Sequence, residues 1–315
     1  MKPTLSVIMP VYNGEKYIAV ALESVREQKC DGIELVVVDD GSTDRTLDIV
    51  RSFARDLPIR IITPGRIGNW VAVSNIGLRE AAGEWACFLH QDDFWLPGRM
   101  VRMRREIESA EGALILHNAM FVGPEGQNLG PWTCPIKEGS VLPKLFLKHL
   151  LVQNFIAIPS PLFRRAAALQ SGGMDETLWF SADWDLWLRL GALGPVRFVN
   201  EALSAFRVHP ESQTLARKLK PGEWTQQLTT VLDRHLHRAP FTEKELASTA
   251  RAAEVSIAVN SALAAASHGE PARPFSVILK LLSLGPWGLH NYLRDCRIIQ
   301  RVSSRLKARR LTESC

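Results

Sequence analysis

Two short runs of core-type residues each break off into acidic residues, and no other feature narrows the fold as much. Leu35-Val36-Val37-Val38 runs into Asp39-Asp40-Gly41-Ser42, and Trp85-Ala86-Cys87-Phe88-Leu89 runs into His90-Gln91-Asp92-Asp93. Unbroken β-branched or aromatic runs suit central strands of a parallel sheet, which are covered on both faces. In open α/β sheets a ligand binds beyond the carboxyl ends of such strands. Carboxylates at that rim can hold a divalent cation and, through it, a diphosphate. The pattern predicts a handler of a metal-chelated nucleotide. No Walker-type glycine loop is present to do the same work.

The surrounding periodicity fits such a sheet. Residues 5–11 read as a strand, Tyr12-Asn13-Gly14 as a turn, and Glu15 to Gln28 as a helix with Ile18, Ala21, Leu22 and Val25 on one face. A strand over 34–38 follows, then a helix over 44–54 that Ser42 or Thr43 would cap. Further strands are predicted at 59–62, 85–89 and 115–121, with a turn at Pro124-Glu125-Gly126. Helices are predicted at 75–82, 140–154 and 182–193, and an extended segment at 156–163. This alternation predicts an α/β fold with a mixed, mostly parallel sheet flanked by helices. After about residue 215 alanine-rich helical texture takes over (246–267), Gly269 to Pro274 forms a bend, and helices resume to about 311. The expected organisation is a catalytic-type domain over 1–215 and a helical appendage over 216–315.

Charge and cysteines limit the setting. Residues 241–315 hold 11 Lys/Arg against 6 Asp/Glu, whereas residues 1–240 balance at 27 against 27. A neutral body argues against a nucleic-acid groove, and a basic tail suits an anionic surface. Arg294, Arg297, Arg301 and Arg305 recur at helical spacing beside an apolar row of Ile298, Val302 and Leu306. Such a helix over 294–310 would either lie on an anionic membrane or pack its apolar side on the body. Cys30, Cys87, Cys134, Cys296 and Cys315 show neither paired nor zinc-type spacing, which fits a reducing, cytoplasmic location. No apolar stretch is long enough to span a bilayer.

Five constellations could carry chemistry. The turn Pro10-Val11-Tyr12-Asn13 leaves a strand at its carboxyl end, where Tyr12 could stack on a base or simply serve the turn. Asp39 and Asp40 could accept from a base or ribose, or cap the next helix. His90-Gln91-Asp92-Asp93 offers cation ligands, with Asp93 equally suited to capping a helix before Trp95-Leu96-Pro97. Asp183 and Asp185 fall in a first helical turn, where the macrodipole favours an ionised carboxylate; one could act as general base. Arg207 and His209 share a face, and His209 could ligate a metal or be structural.

Taken in order, these blocks resemble the family 2 glycosyltransferases, the large inverting group with the GT-A fold. The likeness runs through Ser6 to Asn13, Val38 to Asp44, Asn75-Ile76-Gly77, Phe88 to Asp93, Asp183 to Arg189 and Phe206 to Pro210, covering about residues 4–215. The resemblance implies that Pro10, Val11, Tyr12, Asn13, Glu15, Asp39 and Asp40 hold the nucleoside, with His90 and Asp92 beside the diphosphate. It implies Asp92 as ligand of Mg²⁺ or Mn²⁺ with His209 completing the metal site, and Asp183 as catalytic base. His90 stands where the family's signature usually has its first Asp, and Ala182 stands where an acidic residue commonly precedes the base. The processive synthases' Gln-x-x-Arg-Trp motif is missing.

The expected activity is therefore inverting, metal-dependent transfer of a single sugar from a nucleoside-diphosphate sugar, UDP-linked, to a glycan or lipid-linked acceptor hydroxyl. That suits cell-surface polysaccharide or glycolipid assembly, with peripheral membrane contact through 294–310. The alternative, motivated by His90 and Ala182, is a non-catalytic nucleotide-sugar-binding or scaffold protein of the same fold.

Overall fold

A computed structural model describes residues 2–212, 222–267 and 274–313. The Gly269–Pro274 bend and the 215/216 boundary expected from sequence fall largely outside the described residues.

The sheet is built around β1 (Leu5–Val11), whose seven residues are all buried. It pairs in parallel with β2 (Ile33–Asp39) on one side and β4 (Trp85–Phe88) on the other, and β3 (Ile59–Ile62) extends β2 in parallel. Burial on both faces explains the unbroken apolar runs. Beyond β4 the order continues through β9 (Leu162–Arg164), β6 (Leu114–Val122), β10 (Val196–Arg207) and β5 (Phe94–Trp95). The long β6–β10 pairing is parallel, while β9 runs antiparallel to both β4 and β6. The result is the mixed, mostly parallel sheet expected. β7 (Asn128–Trp132) folds back on β6 through the turn at 124–126, and β8 (Gly139–Val141) borders β10.

Helices cover both faces. α1 (Ile18–Arg26) and α2 (Thr46–Phe53) contribute Ile18, Leu22, Val25 and Val50 to one apolar layer, and α4 (Arg99–Ser109) adds Met100 and Met103. On the other face lie α3 (Trp70–Glu80), α5 (Pro143–Val152), α6 (Arg165–Gln170) and α7 (Ala182–Gly191). α8 (Glu223–Leu236) and α9 (Glu243–Ser267) join this second layer through Leu228, Val231, Leu232, Ala253 and Ile257. α10 (Pro274–Leu282), α11 (Gly285–Cys296) and α12 (Ile298–Glu313) complete the chain.

Several local expectations are corrected. α3 starts at Trp70, not at 75, because the Asn69 side chain accepts from Val71 N and caps it. Neither Ser42 nor Thr43 caps α2; Asp44 accepts from Thr46 N at 2.9 Å, and Ser42 and Thr43 turn to Asn13 instead. Asp93 caps no helix. It precedes β5, and α4 begins after the left-handed Gly98. The basic helix α12 lies on β7: Ser304 is buried, and Lys307 donates to Leu129 O at 3.2 Å. Of its expected apolar row, Ile298 is half-buried against the helical layer while Leu306 is exposed.

Candidate active site

The carboxyl ends of β1, β2, β4 and β10 meet at one rim. β1 and β2 are in register from Leu5↔Ile33 to Val11↔Asp39, so the turn after Val11 stands beside the acidic pair after Val38. Asp40 N donates to Val11 O at 2.8 Å and ties the two exits together.

Each member of the first cluster has a defined job. Asn13 sits at φ 45°, left-handed for a non-glycine residue. Its side-chain amide oxygen accepts from Thr43 N at 2.8 Å, and its own N–H donates to Ser42 Oγ at 3.0 Å, so two bonds to the neighbouring strand exit hold a conformation that asparagine tolerates better than most residues. Glu15 accepts from Arg45 N and donates through its backbone to Asp44, so it braces the start of α2. Among the described residues, the Asp39 carboxylate accepts only from Ser42 N, at 3.2–3.3 Å to its two oxygens. Asp40 is far more committed. It pairs with Arg66 and accepts from the N–H groups of Ile67 and Gly68, holding the 65–68 loop over the rim. The Arg66 guanidinium lies 3.6 Å from the Tyr12 ring centroid and so covers one face of that ring.

The second cluster follows β4. Gln91 bridges to the first one, accepting from Tyr12 N at 2.8 Å and donating to Tyr12 O at 3.0 Å. Gly14 leaves room for this clamp, because a Cβ there would lie 2.4 Å from Gln91 Oε1 and the amide would have to move. His90, Asp92 and Asp93 bring one ligand atom each within 4.8 Å of one another. His90 Nε2 and Asp93 Oδ2 are buried without a hydrogen-bond partner. Burial pushes the His90 imidazole towards its neutral form, partly opposed by Asp92. Burial and the Asp92 charge hold the Asp93 carboxyl well above its usual range. Burial would also raise Asp92, but the hydrogen bond from His209 and the nearby imidazoles outweigh it and its carboxyl is shifted down. Orphaned buried atoms on the His90 imidazole and the Asp93 carboxyl, with the Asp92 carboxylate beside them, form a mixed nitrogen and oxygen donor set that a divalent cation such as Mn²⁺ can take, so these residues fit the expected metal.

β10 supplies the supports. Arg207 donates through Nε to Asp92 O at 2.8 Å, and its backbone N–H donates to Asp93 Oδ1 at 2.9 Å. His209 Nε2 lies 2.9 Å from Asp92 Oδ2, and its ring packs 4.7 Å from Tyr17. His209 therefore reaches the cluster through Asp92, while the three gathered ligand atoms belong to His90, Asp92 and Asp93.

Asp183 approaches from α7. The Trp70 indole meets His90 edge-on at 5.1 Å and donates to Trp179 O at 2.6 Å, three residues before α7. Asn75 fastens the preceding loop, donating to Met174 O and accepting from Met174 N. This chain of contacts links the start of α7 to the His90 side of the rim. Burial pushes the Asp183 carboxyl up to about 6, against the Trp184 N–H and the Asn154 amide, which favour ionisation. Asp185 behaves oppositely. It pairs with Arg189, Arg234 and His235, and these partners overcome burial to hold it at about 2. Asp185 fastens α7 to α8, whereas Asp183 has no ion-pair partner among the described residues.

A cleft of about 530 Å³ opens beside the 65–68 loop, lined by Gly68, Asn69, Glu176, Trp179, Glu223 and Gln227. A larger cavity of about 690 Å³ lies between α8 and α9, lined by Leu232, Leu246, Ile257 and Lys280 and by none of the rim residues.

Residues 6–160 match glycosyl transferase family 2. That segment, 155 of the 315 residues, belongs to the family. An uncharacterized glycosyltransferase of Rickettsia typhi is 28% identical over 225 residues, 67% of this chain and 66% of the relative. One of Haemophilus influenzae is 40% identical over 94 residues, 29% of this chain and 37% of the relative. The chain thus spans just under two thirds of the first relative and far less of the second. Among solved structures, S. aureus TarS 1–349 in complex with UDP-GlcNAc superposes with a TM-score of 0.67 at 18% identity, covering 96% of this chain and 91% of that one. The mannosyltransferase PcManGT from Pyrobaculum calidifontis, in complex with GDP-Man and Mn²⁺, gives 0.55 at 18%, covering 98% and 87%. These likenesses establish the GT-A fold.

Sequence reasoning passed over Arg66, Trp70 and Asn154, and it gave Gln91 no role. Gln91 alone carried a local signal, since it stands inside the acidic signature. The other three act across 26 or more residues through Asp40, Trp179 and Asp183.

Proposed function

We propose that the chain transfers one sugar from a UDP-linked donor to an acceptor hydroxyl with inversion at the anomeric carbon. The observation that carries this reading is the pairing of a cation-type donor set, His90, Asp92 and Asp93, with a separate carboxyl held near 6, Asp183, linked through Trp70 and Trp179.

The nucleoside lies along Pro10, Val11, Tyr12 and Asn13. Asp39 offers the freer acceptor for a base N–H or ribose hydroxyl, since Asp40 already holds Arg66, Ile67 and Gly68. Arg66, one face of its guanidinium on Tyr12, adds positive charge above the rim. Asp92, with His90 and Asp93, would hold Mg²⁺ or Mn²⁺, and His209 and Arg207 keep Asp92 in place. A divalent ion there supplies Lewis-acid stabilisation of a departing diphosphate. Asp183 takes the acceptor's proton as its oxygen attacks. A carboxyl titrating near 6 is ionised at neutral pH yet basic enough to help. Asn154 orients it through a 3.2 Å hydrogen bond. The acceptor is a glycan or lipid-linked hydroxyl, which places the enzyme in cell-surface polysaccharide or glycolipid assembly at a membrane surface.

A screen of nucleoside-diphosphate sugars, read as released nucleoside diphosphate with and without Mn²⁺, tests the proposal. Mn²⁺-dependent release from a UDP-sugar is expected. Tight donor binding by calorimetry with no release from any donor would replace the enzyme by a nucleotide-sugar-binding scaffold.

A further inference from the structure

Helix α10 is apolar on two opposite sides, and only one side is covered. Val277 and Leu281 pack towards Val255 and Val259 of α9. Phe275, Ile278, Leu279 and Leu282 stand at i, i+3, i+4 and i+7, one stripe of a helix. They are 73%, 51%, 52% and 62% exposed. α11 repeats the arrangement. Tyr292 and Cys296 are buried in the same cluster, while Trp287 is 81% and Leu293 41% exposed. Scattered exposed leucines need no explanation, but a full helical stripe followed by a bare tryptophan marks a docking face.

Charge selects the occupant. Residues 274–313 carry Lys280, Arg294, Arg297, Arg301, Arg305, Lys307, Arg309 and Arg310 against Asp295 and Glu313. A second copy docked on this face would bring two strongly basic segments together, which like-charge repulsion opposes. An anionic lipid surface meets both features at once. Acyl chains take the apolar stripe, the net positive charge of the segment draws anionic headgroups, and the headgroup layer is where indole rings settle. No described helix is long and apolar enough to cross a membrane, so the contact lies in the interface plane.

We propose that α10 and α11 form an interfacial seat on an anionic bilayer, with Phe275, Ile278, Leu279, Leu282 and Trp287 immersed. α12, which lies on β7 through Ser304 and Lys307, supplies charge and is not itself the inserted helix. This seat stands independently of the transfer reaction.

Co-sedimentation of the full chain with phosphatidylcholine vesicles, with and without phosphatidylglycerol, tests it. Binding is expected with the anionic lipid and should weaken with salt. The double variant Ile278→Ser/Leu282→Ser should lower partitioning roughly tenfold or more. Its unfolding midpoint should match the parent, since both side chains are exposed. Of the nine tryptophans only Trp287 is exposed, so anionic vesicles should blue-shift its emission, and Trp287→Phe should remove that shift. Three results would overturn the seat: no binding to anionic vesicles, equal binding by the double variant, or a lipid-free dimer that the double variant abolishes.

Discussion

Asp183→Asn should make the protein more stable and nearly inactive at the same time. In the folded chain burial raises this carboxyl from its ordinary 3.8 to about 6. Between those two values the native state binds more protons than the unfolded chain, so stability falls as pH rises through that window and stays lowered above it. Two pH units at about 1.4 kcal/mol each put the cost of ionising Asp183 at about 3 kcal/mol at pH 8. Asparagine has the same shape and carries no such cost. Urea unfolding should therefore show the variant more stable than the parent by up to about 3 kcal/mol at pH 8, with little difference near pH 4. Turnover should fall by about 10²–10⁴, the usual share of a general base, while donor affinity by calorimetry stays near the parent's. The parent's rate should rise about tenfold per pH unit below about 6 and level off above it. A variant with unchanged rate would remove Asp183 from the base role. A variant no more stable at pH 8 than at pH 4, relative to the parent, would show that the carboxyl is not held high in the fold.

Asp185→Asn should do the reverse. Its carboxyl is held at about 2 by His235, Arg189 and Arg234, a stabilisation that is present above 3.8 and fades as pH falls through about 2. The variant should lose about 2–3 kcal/mol at pH 7, read by urea unfolding, with activity following only the folded fraction. Asp92→Ala should abolish Mn²⁺-dependent donor binding in calorimetry; unaltered donor affinity would refute its place in the cation site. Gly14→Ala should displace Gln91, since the new Cβ would lie 2.4 Å from its Oε1, costing about 1–2 kcal/mol for two lost hydrogen bonds and raising the donor KM. Arg66→Ala should free the 65–68 loop and raise the donor KM several-fold, with about 1 kcal/mol or less lost because Arg66 is half-exposed.

Strands were legible where burial is two-sided. β1, β2 and β4 have nothing polar to interrupt their apolar runs, and parallel pairing follows from helices between them. α3 was misplaced for a related reason. Ser74 and Asn75 are buried along with Val71, Val73, Gly77 and Leu78, so polar residues stand where an amphipathic pattern would be apolar. Asn75 is polar because it holds Met174 on another element, and that need is invisible within the helix itself.

The same locality limit governs the site. The acidic clusters were legible because they follow strands directly, and the strand ends place them at one rim. What each carboxylate does is decided by partners far along the chain. Asp93 resembles a helix cap in its own neighbourhood, yet its oxygen serves the backbone of Arg207, 114 residues on. Asp183 and Asp185 share one helical turn and one macrodipole, so local electrostatics predicts the same behaviour for both. Arg234 and His235, 49 and 50 residues beyond Asp185, pull it to about 2, while Asp183 meets neutral donors such as the Trp184 N–H and the Asn154 amide and stays near 6. A tethered carboxylate and the one proposed to accept the proton are thus separated by tertiary contact alone. Moving a guanidinium to Asp183, as Asn154→Arg would, should lower its carboxyl, preserve the fold and suppress turnover at neutral pH. A variant that kept full activity with the arginine paired to Asp183 would break the link drawn between its raised pKa and catalysis.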